Sequence, residues 1–293
     1  MDHEADIRTE ASRRMERKDD ADAPRDPALG ARPGESAAAQ GGGTVGKALA
    51  VLDAVAGAGR PLRFSEVQAL FDHPKATLHR LLQTLVAQGM LAYTAERQTY
   101  APGMRLVRLA HAAWAQSSLA PLARPFVDAL SEEVGETIHL AQLSEGQVLY
   151  VDKRNARKPI EMFSDAGKVG PGYCTGVGKA MLAFLPEEER QTAIRQQSFY
   201  RHTGNTLDTP DKLETVLTEI RHTGVSYDRE EHEPGIICIA VPILAAQGRV
   251  LGALSITGTT RDVDYAGLDA YRPALQSTAA EIAAAAEAWQ FPG

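Results

Sequence analysis

Apolar residues recur at helical spacing in two short segments between residues 62 and 90, and a polar turn separates these segments. In the first segment, Ser65 and Gln68 have the spacing of a capping box at the start of a helix. The second segment follows Pro74, a residue suited to a helix start, and places four leucines on one face: Leu78, Leu81, Leu82 and Leu85. Two short helices joined by a tight turn are therefore predicted.

Polar and basic residues occupy the other side of the second predicted helix, and two β-prone runs follow it. These runs cover residues 91–93 and 98–100, and Arg97 lies between them. The pattern predicts a winged helix-turn-helix whose second helix lies in a DNA groove. The candidate DNA-contacting residues are Lys75, Thr77, His79, Arg80 and Arg97. The structural alternative is a packing motif whose polar residues form a solvated helix face.

The segments around this module also have clear patterns. Residues 44–56 form an amphipathic helical pattern that would pack behind the second helix. Residues 103–134 contain two helical stretches interrupted at Pro121, an arrangement typical of a spacer or dimer seam. Residues 1–43 contain almost no large apolar side chains and end in glycines, which predicts a disordered tail.

A second module begins near residue 135, where strand-like and helix-like patterns are mixed. The predicted strands cover residues 138–143, 148–151, 236–244 and 250–257. The predicted helices cover residues 175–185, 186–196, 210–222 and 263–289. This mixture predicts an α+β domain, an antiparallel sheet with helices against it.

Three short segments of this module carry candidate ligand-binding groups. A glycine-rich loop at residues 169–178 enters a helix, where backbone N–H groups and the helix dipole favour an anion such as a carboxylate. Asp228 lies beside a short strand, and Ser255 and Thr257 share one face of another. We expect the three segments to converge on one side of the sheet, although glycines that merely turn the chain remain an alternative for the loop.

Enzymatic and metal-binding alternatives rest on a few further residues. Cys174 at a helix start is a candidate nucleophile with a lowered pKa, although a role for Cys174 and Cys238 as small buried thiols beside the pocket is preferred. The carboxylates at residues 228–231 are candidate acid/base groups. An enzyme acting on a small organic acid is therefore the alternative function. Cys174, Cys238, His139 and Asp228 are metal-ligand types, but their separations match no compact zinc spacing. No cofactor, metal site or catalytic residue is predicted.

Charge distinguishes the two modules. The whole chain has a net charge of −7, whereas residues 44–116 carry eight Lys and Arg against four Asp and Glu, a net charge of +4. A basic module within an acidic chain suits the phosphate backbone of double-stranded DNA. The sequence contains no apolar run long enough for a membrane span, no secretory signal and only two cysteines, so a cytoplasmic location is expected.

Four motifs, in order and with matching spacing, resemble the isocitrate-lyase-regulator (IclR) family of bacterial transcription factors. They are Pro-Lys-Ala-Thr-Leu-His-Arg-Leu-Leu at residues 74–82, Gly-Lys-Ala-Met-Leu-Ala at 178–183, the acidic run at 227–235 and Ala-Leu-Ser-Ile-Thr-Gly at 253–258. The likeness covers residues 44–289 and does not include the tail.

The resemblance implies a ligand-responsive regulator that binds a palindromic operator as a homodimer or homotetramer. It implies a winged helix-turn-helix domain at residues 44–102, linker helices at 103–134 that help dimerisation, and a GAF-like effector-binding domain at 135–293. It implies a small organic acid as the effector, and the loop at residues 173–176 is similar to members near sugar-acid catabolic genes. The residues themselves favour a hydroxy or 2-keto acid, because the helix entrance can bind a carboxylate while Asp228, Ser255 and Thr257 bind the other oxygens. The implied effector-binding residues are Gly176, Val177, Asp228, Cys238, Ser255 and Thr257.

Overall fold

The computed structural model describes residues 43–117 and 119–288, apart from the side chains of residues 115–117. Except for Gly43, the predicted tail lies outside the described residues, as does Trp289 at the end of the last predicted helix. Within the described ranges, no helix combines the length and the apolar character that a membrane crossing requires.

The N-terminal unit is a winged helix-turn-helix, as the pattern of its leucines predicts. Its elements are α1 (Thr44–Gly57), β1 (Leu62–Arg63), α2 (Phe64–Ala69), α3 (Lys75–Ala87), β2 (Leu91–Thr94) and β3 (Thr99–Pro102). The three strands form an antiparallel sheet in the order β1-β3-β2. The four leucines of α3 are buried with apolar residues of α1 and the sheet, so the polar side of α3 faces solvent.

The predicted capping box at Ser65 is wrong. Helix α2 begins at Phe64, and the side chain that closes its first turn is Glu66, which accepts a hydrogen bond from the Arg63 N–H at 2.7 Å. The reason is tertiary, because Arg63 pairs with Thr99 in the sheet and is held extended immediately before the helix. Gln68 therefore has no capping role.

Two helices connect this unit to the second one. They are α4 (Met104–Ser117) and α5 (Ala120–Val134). Pro121 was expected to interrupt the helical stretch, but it lies in the first turn of α5, where a missing N–H costs nothing. The Leu119 N–H donates to Gln142 Oε1 at 2.9 Å, so the start of α5 is tied to the following sheet.

The C-terminal unit contains a six-stranded antiparallel sheet with the strand order β6-β5-β4-β9-β8-β7. The strands are β4 (Thr137–Ser144), β5 (Gln147–Arg154), β6 (Val169–Gly170), β7 (Ser226–Arg229), β8 (Ile236–Leu244) and β9 (Val250–Thr259). The helices are α6 (Gly176–Ala183), α7 (Glu187–Arg195), α8 (Pro210–Thr223), α9 (Tyr265–Ala270) and α10 (Arg272–Ala288).

Helices cover both faces of this sheet and leave a polar region on one of them. Helices α5 and α10 pack on one face over the main apolar core, to which Leu254 and Ile256 of β9 contribute. Helix α6 packs on the other face, with α8 outside it. Because strand residues alternate, Ser255 and Thr257 face the α6 side, as predicted.

Candidate functional site

Helix α3 presents basic residues to solvent on the side opposite its leucines. Lys75, His79 and Arg80 are exposed, whereas Thr77 is half-buried. The Lys75 Nζ lies 6.0 Å from the ring centroid of Phe64 on α2, and the His79 ring centroid lies 5.9 Å from the same Phe64 centroid. The first half of α3 is thus a cationic surface supported from beneath by α2.

Arg97 lies in the turn between β2 and β3, where it is exposed. The neighbouring Gln98 has a positive φ of 52°, which helps to reverse the chain at the wing. The structure therefore places all five candidate DNA-contacting residues on α3 or the wing, and four of them are exposed.

A cavity lies between the sheet and the start of α6, and the three predicted segments meet there. Its lining includes all six residues implied by the family resemblance: Gly176, Val177, Asp228, Cys238, Ser255 and Thr257. The cavity volume is about 30 Å³. That volume holds roughly two or three water molecules, since each buried water needs roughly 10–15 Å³ of such a cavity. An organic acid therefore enters only if a wall moves.

The entrance of helix α6 supplies backbone donors to the cavity. Thr175 caps the helix, because its Oγ1 accepts from the Gly178 N–H at 3.3 Å and donates to the Pro171 carbonyl at 2.8 Å. The N–H groups of Gly176 and Val177 precede these intrahelical bonds, so they are the ones left for a ligand. They are well placed to bind a carboxylate.

Gly176 also lets helix and sheet approach closely. A Cβ atom on Gly176 would lie within 3.0 Å of Cys238 Sγ and 3.3 Å from the Cβ of Ala240. Cys238 is thus part of the cavity wall against which the helix entrance rests.

His139 lies at the centre of the polar wall, although the sequence argument considered it only as a metal-ligand type. Its Nε2 lies 2.8 Å from Ser164 Oγ, and its Nδ1 lies 3.3 Å from Thr257 Oγ1 and 3.5 Å from Ser255 Oγ. Burial, reinforced by Lys153, lowers the pKa of His139 to about 3. The imidazole is therefore neutral, with one donor and one acceptor nitrogen.

Asp228 is the buried carboxyl group of the cavity. It accepts a hydrogen bond from the Glu231 N–H at 2.8 Å. Burial, together with the nearby Glu231 carboxylate, raises the pKa of Asp228 to about 7 against the opposing effect of Lys179. Asp228 can therefore act either as an acceptor or, when protonated, as a donor.

The acidic run after β7 is not a solvated turn. Glu231 is buried and forms an ion pair with the buried Lys179, whose Nζ also donates to the Tyr227 carbonyl at 2.7 Å. Glu233 accepts from the Phe163 N–H at 3.0 and 3.1 Å. These carboxylates hold α6 and the loop at residues 155–168 against β7.

Sequence reasoning did not select several further lining residues: His139, Tyr150, Met162, Ser164, Thr175, His232, Glu233 and Ile236. Strand register was a usable signal for one of them, because His139 pairs directly with Ser255 and so shares its face. Met162 and Ser164 come from a long loop, and no local pattern places that loop over the sheet.

The two thiols lack the properties of a nucleophile. Cys174 lies before α6 rather than at its first residue, and burial raises its pKa well above the ordinary value, as suits a buried thiol and not the alternative of a nucleophile. Burial also raises the pKa of Cys238 to about 12. Both groups are thiols at neutral pH, and it is the thiolate that attacks. Across residues 43–117 and 119–288, no three His, Cys, Asp or Glu side chains are grouped for a metal ion.

Comparison with known proteins agrees with this architecture. The model of the IclR helix-turn-helix domain matches residues 44–95, and that of the bacterial transcriptional regulator IclR C-terminal domain matches residues 111–284. The chain belongs to the IclR family. It is a ligand-responsive transcriptional regulator with a DNA-binding helix-turn-helix domain and a C-terminal effector domain.

Relatives of this IclR-family chain are regulators rather than enzymes. The HTH-type transcriptional regulator XynR of Escherichia coli (strain K12) is 31% identical over 233 residues, which cover 80% of this chain and 92% of XynR. The HTH-type transcriptional regulator KdgR of the same strain is 31% identical over 238 residues, which cover 81% of this chain and 90% of KdgR. The crystal structure of the Thermotoga maritima IclR has a TM-score of 0.67 and 27% identity, covering 82% of this chain and 97% of that one.

Proposed function

We propose that this IclR-family regulator binds a palindromic operator through α3 and the wing, and that a small hydroxy or 2-keto acid binds in the α6 cavity. The observation that carries the effector half is the meeting of Gly176, Val177, Asp228, Ser255 and Thr257 around one cavity. The N–H groups of the helix entrance bind the carboxylate, and the opposite wall binds the hydroxyl or keto oxygen.

The exposed basic residues of α3 and the wing support the DNA half of the proposal. Lys75 and Arg80 lie on the polar side of a helix whose leucine side is already buried. A helix presented in this way enters the major groove, and Arg97 on the wing reaches the adjacent backbone. The net charge of +4 over residues 44–116 adds a general attraction to phosphate.

Exposed apolar side chains on the N-terminal helices support a dimer. Val45 and Leu49 of α1 are 74% and 50% exposed, and Met104 and Val107 of α4 are 75% and 59% exposed. Large exposed apolar surfaces mark interaction sites, and a second copy of the chain would cover these side chains on both helices. A two-fold dimer places two α3 helices on successive turns of DNA, which matches a palindrome.

The effector signal has a physical route to the DNA-binding units. His139 in the cavity and Gln142 lie on the same strand, and Gln142 holds the start of α5 through the Leu119 N–H. A ligand that moves the cavity wall thereby changes the angle between the linker helices. Coupling of this kind typically changes DNA affinity about 5–150-fold. We expect the ligand to be released unchanged, because Cys174 and Cys238 are protonated and neither supplies a thiolate.

The DNA half is tested with a duplex that the wild-type protein selects from a random-sequence pool. Arg80→Ala should weaken DNA binding. It should also make the slope of log K, the DNA-association constant, against log salt concentration shallower by about 0.9, which corresponds to about one lost phosphate contact. Arg195→Ala, which removes an exposed arginine from helix α7, is the matched control. Equal slopes for Arg80→Ala and Arg195→Ala would exclude Arg80 from the DNA contact.

The effector half is tested by thermal melting with glycolate, pyruvate and gluconate. A compound that binds only the folded protein raises the melting temperature. Thr257→Val keeps the shape of the side chain but removes the hydroxyl, so it should reduce the shift caused by the active acid. An unchanged shift in this variant would remove Thr257 from the site, and turnover of the acid would contradict a sensor.

A further inference from the structure

The effector cavity has backbone donors for a carboxylate, but its side-chain charges do not compensate an added negative charge. Asp228 and Glu233 line it with two carboxyl groups, whereas the described lining residues include no lysine or arginine. A carboxylate that enters a small buried cavity beside a second carboxylate meets strong like-charge repulsion. Backbone N–H groups alone offer only partial charges.

The one lysine that acts on Asp228 is already neutralised. Lys179 is 1% exposed, and its Nζ is held by the Glu231 carboxylate and the Tyr227 carbonyl. His232, the other basic group acting on Asp228, has its Nδ1 3.6 Å from Glu233 Oε1. Lys179 is therefore committed to a carboxylate other than that of a ligand, whereas the Nε2 of His232 has no hydrogen-bond partner in the described part of the chain.

Four other titratable groups at or near the cavity are uncharged at neutral pH. Burial raises the pKa values of the Cys174 and Cys238 thiols and of the Tyr150 phenol, which keeps all three protonated. The buried imidazole of His139 is neutral, as described above. None of these four groups supplies a positive charge, so a proton from solvent can remove the excess negative charge that an incoming acid brings.

We propose that the effector acid binds together with one proton taken from solvent, which its carboxylate and the Asp228 carboxyl share. This inference rests on the proposed function, because it requires an organic acid in this cavity. Two carboxyl groups in one buried site behave in this way generally, since they cannot both be ionised at close range. No covalent bond changes, and the proton returns to solvent when the acid leaves.

The pH dependence of effector binding follows from the uptake of this shared proton. Below about pH 6, Asp228 with its pKa of about 7 already holds the proton, so binding takes up almost none. Above about pH 8, uptake approaches one proton, and the affinity for the acid falls about tenfold per pH unit. Below pH 6 the affinity is nearly flat.

Titration calorimetry on the full-length protein measures this directly. Glycolate, pyruvate and gluconate are titrated at about pH 8 in phosphate and in Tris, whose ionisation enthalpies differ, and the heats give the number of protons taken up. We expect close to one. In Asp228→Asn, which keeps an oxygen acceptor for the Glu231 N–H, we expect none and an affinity that varies little with pH.

Two further variants identify the carboxyl group concerned. Glu219→Gln neutralises an exposed carboxylate on α8 and should retain the uptake. Glu233→Gln should also retain it, whatever its effect on affinity. Binding of an acid with equal heats in both buffers overturns this inference but leaves the effector proposal standing. Uptake that persists in Asp228→Asn also overturns it, and failure of all three acids to bind between about pH 5.5 and 8.5 overturns both proposals.

Discussion

Replacing Gly176 with alanine tests how closely helix α6 approaches the sheet at the cavity. Gly176 is the first residue of α6 and its φ is not positive, so the backbone accepts any L-residue there. The obstacle is steric, because the added Cβ would lie within 3.0 Å of Cys238 Sγ and 3.3 Å from the Cβ of Ala240. The helix entrance or the strand has to move.

The magnitude follows from the size of that overlap. Favourable contacts between such atoms lie at about 3.5–4.0 Å, so the separation must grow by on the order of 1 Å. Overpacking of this kind costs about 1–3 kcal/mol. The better helix propensity of alanine offsets up to about 1 kcal/mol of it. We expect Gly176→Ala to lower the free energy of unfolding by roughly 1–2 kcal/mol.

Urea unfolding of the full chain measures this loss, and a double-mutant cycle assigns it. Cys238→Ala removes the sulfur that the new Cβ meets, so Gly176→Ala should cost about 1 kcal/mol less in that background. Gly46→Ala in α1 is the matched control, because no atom lies within 4 Å of its added Cβ. That variant should be more stable than wild type by roughly 0.5–1 kcal/mol.

The reasoning fails if Gly176→Ala behaves like Gly46→Ala. Additive effects of Gly176→Ala and Cys238→Ala would also refute it, since they would show that the helix and the strand are not in contact at this point. In either case the cavity wall would be looser than the structure shows.

Three further predictions concern other parts of the molecule. Leu82→Ala, at a fully buried position of α3, should cost about 2–5 kcal/mol by urea unfolding, whereas the exposed Gln83→Ala should change stability by less than about 0.5 kcal/mol. Lys179→Met leaves the buried Glu231 without its partner and should cost about 3–5 kcal/mol, and a near-neutral result would show that the pair does not tie α6 to β7. Asp228→Asn removes a carboxyl group whose pKa burial raises from 3.8 to about 7. Between about pH 4.5 and pH 8 the folded wild type keeps this proton while the unfolded chain releases it, so wild-type stability falls as the pH rises. The melting temperature of the variant relative to wild type should therefore rise over this range. A difference that stays constant with pH would contradict the raised pKa of Asp228.

The elements with strong periodicity were predictable from the sequence. The leucines of α3 identified the second helix of the winged unit and the side on which its basic residues lie. Alternation in β9 likewise indicated that Ser255 and Thr257 share a face opposite Leu254 and Ile256. In both elements one face is buried, so the chain has to repeat apolar residues at the period of its backbone.

Other features had no local signal. Ser65 was a reasonable cap by spacing, but the pairing of Arg63 with Thr99 moved the helix start and made Glu66 the residue that closes it. Its position near a helix start left Cys174 open to two interpretations, a nucleophile or a buried thiol, and the residues packed around it raise its pKa. Each outcome depends on a segment that is distant in sequence.

The sequence alone therefore determined the two modules, the helix that presents basic residues and the glycine-rich entrance of α6. Only the tertiary structure decided that residues from five strands, several loops and the start of α6 enclose one cavity. It also decided that an uncharged His139 imidazole lies in the cavity wall and that Lys179 is paired with Glu231. The physical reason is that periodicity records which face of an element is buried, whereas charge and hydrogen bonding in a cavity depend on which elements meet there.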